Sequence, residues 1–132
     1  MTRLHKIVGI VGVIAFLATG LYMRRYPSGM ASLDGGMRML FRSRHIYLLL
    51  ASLLNLGLGT YLRPSPRRSR RAAQVLASLP ILAAPPLLLA AFLVEPYRTA
   101  PGGPFALSAV IGLLGGTIGH ALAADRAAGR DS

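Results

Sequence analysis

The residues that could move a proton or hold a metal in this chain are few: His5, His45 and His120, and the carboxylates Asp34, Glu95, Asp125 and Asp131. None of the four carboxylates lies deep within an apolar run. Proton-coupled transport through a membrane usually needs an ionisable group there. His5 and His120 fall near the ends of the first and last apolar runs and could clasp a haem between two helices. The simpler expectation is that they are interfacial histidines bonded to lipid, water or backbone, with no cofactor. With no cysteine in the chain, disulfides, thiolate metal sites and thiol catalysis are excluded.

One polar cluster is more coherent. Arg42, Arg44, His45, Glu95 and Arg98 should lie at similar depth where two apolar runs end. Glu95 could pair with Arg44, His45 or Arg98, leaving net positive charge for a lipid phosphate or other anion. The competing reading is a structural ion pair that ties two helix ends together. Catalytic residues are not expected: no hydrolase triad, phosphate loop, dinucleotide fingerprint or metal-ligand spacing is present.

Asn55 is the other polar residue with an evident task. Prolines at 80, 85 and 86 remove backbone donors, which frees the carbonyls of Leu76, Ile81 and Leu82. Asn55 lies at the depth of Ile81 and Leu82, so its amide is expected to bond one of those carbonyls, with Ser52 on the same face. The Pro80 and Pro85-Pro86 positions are expected to break their helix. A broken helix can also line a transport site.

The elements that position these groups are read from hydropathy. Of 132 residues, 53% are hydrophobic, and they gather in four blocks of about the 20 residues needed to cross a bilayer core. Helices are expected over about 5–23, 45–62, 72–94 and 104–124. The expected fold is all-α: a four-transmembrane-helix antiparallel bundle forming one domain over 1–132. Between the first two spans, Met30, Leu33, Met37, Leu40 and Phe41 recur at helical spacing opposite Asp34, Arg38 and Arg42. That pattern predicts an amphipathic interfacial helix over about 29–43, with Ser28 able to cap its start and Gly35-Gly36 weakening its middle. Residues 1–23 also fit a signal peptide, but the apolar run continues through Leu21, Tyr22 and Met23, which favours a retained span.

Small residues mark the packing faces. His45, Ser52, Asn55 and Gly59 share one stripe of the second span. In the fourth, Ser108, Gly112, Gly115 and Gly119 make one small-residue stripe, and Gly112/Gly116 and Gly115/Gly119 are both GxxxG pairs, so this helix is expected to pack tightly, either within the chain or against a second copy.

Charge sets the orientation. The net charge of +11 is concentrated at the ends of the apolar blocks, which suits anionic lipid headgroups and not nucleic acid. Five arginines crowd residues 63–71, and such a loop stays on the cytoplasmic side. That placement puts nine basic residues inside and six outside, with both termini cytoplasmic. A bacterial inner membrane is the expected host. The expected function is a non-enzymatic accessory or self-associating component of a membrane complex. The alternatives are a small oligomeric transporter or channel with its pathway at Pro85-Pro86, and a haem- or quinone-binding redox subunit.

Overall fold

A computed structural model describes residues 1–98 and 103–128, with the side chains of 124–128 left out. The described residues form four α-helices and two 3-10 turns: α1 (Thr2–Arg25), a turn at Pro27–Met30, α2 (Gly35–Tyr61), α3 (Arg68–Val94), a turn at Glu95–Tyr97, and α4 (Pro104–Ala128). The loop expected over 95–103 and the tail over 125–132 fall partly outside the described residues. Three stretches, Thr2–Arg25, Arg68–Tyr97 and Pro104–Ala123, are long and apolar enough to cross a bilayer. At 27 residues α2 matches α3 in length, about 40 Å at 1.5 Å per residue. It differs in carrying Arg38, Arg42, Arg44, His45 and Asn55.

Neighbouring helices run antiparallel, as the contacts between them show. Gly9 sits against Leu56, Gly12 against Ser52 and Gly20 against His45, so α1 and α2 run in opposite directions. Asn55 meets Ile81 and Arg44 meets Glu95, which reverses α3 relative to α2. Gly112 lies on Pro80 and Gly119 on Ala77, which reverses α4 in turn. α1 packs mainly on α2 and α4 mainly on α3, with α2 and α3 joining the two pairs. Leu48, Ile81, Ala84 and Leu88 are fully enclosed at that junction. The outward faces are apolar on every helix, with Ile10, Ile14, Leu50, Leu79, Ile111 and Ile118 all more than half exposed. An apolar exterior of this extent is what a membrane or partner contact surface requires.

Three expectations are corrected by the structure. The separate interfacial helix over 29–43 does not form: residues 27–30 make a single 3-10 turn, and residues 35–43 are the first turns of α2, which runs unbroken to Tyr61. The cap is Asp34 and not Ser28, its carboxylate accepting from Gly36 N–H at 2.8 Å. Gly35 and Gly36 therefore start the helix, where their flexibility costs less than it would in the middle. Secondly, Pro80, Pro85 and Pro86 do not break α3, which is helical across all three. A missing backbone donor does not end a helix when a neighbouring helix serves the freed carbonyl, and here Asn55 does so at Ile81. Thirdly, the α4 glycines do not act as one stripe. A Cβ on Gly112, Gly116 or Gly119 would press on α3, whereas Gly115 has nothing within 4 Å. Positions i, i+4 and i+7 form the seam, and i+3 falls outside it.

Candidate functional site

The buried polar side chains form two networks, one at each end of the helix junction. At the end away from the arginine loop, Glu95 is the hub. Arg44 Nε donates to its Oε2 at 2.9 Å, and the Phe105 and Ala106 amides donate to its Oε1 at 2.8 and 3.0 Å. The first turn of a helix has N–H groups with no partner inside the helix, and its dipole favours a negative charge there. Glu95 therefore serves as a remote cap for α4, which begins at Pro104, a residue suited to the first helical position. Arg44 is further bonded by Nη1 to Ser43 Oγ. A Cβ on Gly103 would meet both Arg44 and Glu95, so any larger residue there would have to displace the pair.

This geometry separates the five residues that the sequence grouped. Arg44 and Glu95 are joined and buried, while Arg42 and Arg98 are exposed. His45 turns to α1 instead, where Phe16 stacks on its ring at 4.0 Å between centroids. Its Nδ1 lies 2.9 Å from Thr19 Oγ1. The Thr19 hydroxyl gives its hydrogen to the Phe16 carbonyl, so the His45 Nδ1–H is the donor in that contact. Phe41, Phe92 and Met30 close this end as a small core. Phe41 and Phe92 meet edge to face at 5.1 Å between centroids, and Tyr22 OH bonds Tyr97 OH at 3.0 Å.

At the other end the network carries no carboxylate among the described residues. Asn55 Nδ2 donates to Ala51 O and to Ile81 O, both at 2.9 Å. Two carbonyl acceptors fix which end of the amide is nitrogen, so Oδ1 faces His5 Nδ1 at 2.7 Å. Because Oδ1 can only accept, Nδ1 of His5 carries a hydrogen. The chain His5–Asn55–Ile81 thus ties α1, α2 and α3 together. One turn from Ile81, Ser78 Oγ meets His120 Nε2 at 3.1 Å and adds α4. Ser52, beneath Gly12, returns its hydroxyl to Leu48 O at 2.6 Å.

His5 and His120 do lie at the same end, His5 bonded to Asn55 and His120 to Ser78. His5 is wholly enclosed, so binding a haem iron there would require the neighbouring helices to part. Among the described residues no group of three or more His, Asp or Glu side chains could hold a metal.

Sequence reasoning missed four contributors: Thr19, Ser78, Gly103 and the Gly9/Gly12 pair. Gly9 and Gly12 carried a usable signal, since small residues three apart on an apolar helix mark a close-packed face. Thr19 and Ser78 are single hydroxyls in apolar runs, which usually bond their own helix. Comparison with protein-family models, characterised proteins and solved structures found no match.

Proposed function

We propose that this chain is a four-pass membrane protein of a bacterial inner membrane that works by association and not by catalysis. The observation that carries this reading is the division between inside and outside. Arg44, Glu95, Asn55, Ser52 and Ser78 are bonded to other groups of the chain, while large apolar residues cover the exterior. The same division supports a crossing by α2. The groups that make α2 less apolar than its neighbours include Arg44 and Asn55, and both face inward. Its outward face carries Ile46, Leu50 and Leu53. With the arginine loop cytoplasmic, both termini lie inside, and the Arg44–Glu95 end faces outward.

The groove beside Pro85 and Pro86 bears on the transport alternative. It has a volume of about 260 Å³ and is lined by Val8, Val11, Ala15, Leu48, Pro85 and Leu89, among other apolar residues. Such a lining suits an acyl chain or an apolar side chain of a partner helix better than a hydrated solute. The Gly112, Gly116 and Gly119 seam is occupied by α3, so association through that stripe would need α4 to leave it.

Pull-down from native membranes in mild detergent tests the reading, with liposome flux measured on the purified protein. A stoichiometric membrane partner or a defined homo-oligomer, with no specific flux, is the expected result. Specific solute flux by the purified chain would overturn it.

A further inference from the structure

α1 packs mainly on α2 and α3 mainly on α4, which leaves the seam between α1 and α3 loosely closed. Gly12 is the close approach, where a Cβ would stand 3.5 Å from Pro85 and against Ser52. The groove beside Pro85 and Pro86 follows this seam. Val8, Val11 and Ala15 form one wall, Pro86 and Leu89 the other, with Leu48 of α2 behind. Ile7 and Val11 at its edge are more than half exposed, so it opens on the outside of the bundle. Water finds no partner on such walls, and the two proline rings carry no N–H. A dry apolar space of about 150 Å³ already takes a benzene ring, and this one measures about 260 Å³.

Length and charge identify the occupant. From Ile7 to Ala15 the groove spans about 12 Å at about 1.5 Å per residue, close to the roughly 15 Å depth of one leaflet. On α3, Arg71, Val75, Ser78, Leu82, Pro86 and Leu89 follow one another at three- and four-residue spacing, so the groove face leads to Arg71. Arg71 is exposed and lines a recess together with Met1, which brings α1 and α3 to the arginine-loop end side by side. Arg3 is exposed one turn before Ile7. Counted along the sequence, this end has nine arginines and lysines against two carboxylates, Asp125 and Asp131. A second copy in the same orientation would bring equal positive charge to the same level. An anionic phospholipid brings the opposite charge there, and an acyl chain for the groove. On the four-pass reading, we propose that the α1–α3 groove binds one anionic phospholipid, its phosphate at Arg71 and one acyl chain along Val8, Val11 and Pro86. The Pro85-Pro86 pair then serves as a wall of a lipid site.

The test is native mass spectrometry of the purified chain with phosphatidylglycerol, phosphatidylcholine of the same chain length, or inorganic phosphate. Expected is one retained phosphatidylglycerol per chain, held several-fold tighter than phosphatidylcholine, and no retention of phosphate alone. Arg71→Gln should weaken phosphatidylglycerol binding about fivefold, one arginine's share at a charged surface. Val11→Trp should abolish retention by filling the groove from an exposed position. Ile10→Trp, at the same depth but outside the lining, should leave it intact. Equal retention of the two lipids would overturn the site, as would phosphate held without lipid. So would Val11→Trp behaving like Ile10→Trp, or a dimer that Val11→Trp splits and phosphatidylglycerol does not. Each of these leaves a protein that still needs detergent; a chain monodisperse without it would bring down the four-pass reading as well.

Discussion

The two ends of the helix junction solve one problem in different ways. Each must bring polar side chains into a space from which water is largely excluded. Away from the arginine loop the solution is a charged pair: Arg44 and Glu95, completed by two α4 amides. Near the arginine loop it is neutral: amide, imidazole and hydroxyl groups bonded to one another and to a proline-freed carbonyl. A buried charge tolerates no missing partner, because removal of one leaves the other uncompensated. A neutral network loses less when one member is changed. The comparison therefore predicts that the Arg44–Glu95 end is the brittle one and the loop end the adaptable one.

The sharpest way to break that contrast is Glu95→Ala. It strands a buried guanidinium and two helix N–H groups, and should cost about 3–5 kcal/mol, read as a large loss of thermal stability in detergent. Arg44→Met combined with Glu95→Leu should recover part of that loss by removing both charges, though the α4 amides stay uncapped. A smaller effect separates the α4 glycines. A Cβ on Gly116 would lie 2.5 Å from Ile81 Cγ1 and 2.6 Å from Ala77 O, so Gly116→Ala should destabilise by about 1–3 kcal/mol. Gly115→Ala should be neutral or slightly stabilising in the same unfolding assay. At the loop end, Asn55→Leu removes the partners of Ile81 O and His5 Nδ1 and should cost about 1–2 kcal/mol, since single interhelical bonds in membranes average about 0.6. Asn55 proving costlier than Glu95 would invert the comparison. Arg42→Ala and Arg98→Ala should change stability by less than about 0.5 kcal/mol. Their effect should appear in salt-sensitive binding to anionic vesicles, at about 1 kcal/mol per arginine.

How far the sequence discloses this arrangement varies with the physics. Asn55 could be matched to Ile81 because proline chemistry names the freed carbonyl and depth restricts the choice of donor. The inward stripe of Ser52, Asn55 and Gly59 follows from helical periodicity, and all three are buried. Arg44 as the partner of Glu95 was one option among three. The rotation of α2 selects it over His45, which faces Thr19 and Phe16 of α1, while Arg98 is exposed. The extent of α2 was hidden because residues 35–43 have an amphipathic pattern that an interfacial helix and a continued helix share. The α4 glycines offered two overlapping pairs, and only the position of Pro80 and Ala77 decides between them. Capping of α4 by Glu95 was invisible, since it links positions ten residues apart across a loop.

The most direct test of the whole arrangement is the sidedness of the two ends of α2. With no cysteine in the chain, single-cysteine variants report cleanly. Ser32→Cys and Ser69→Cys flank α2 at exposed positions. If α2 crosses the membrane with its charges turned inward, an impermeant maleimide labels position 32 in intact cells and position 69 only after permeabilisation. Labelling of both positions from the same side would contradict the account.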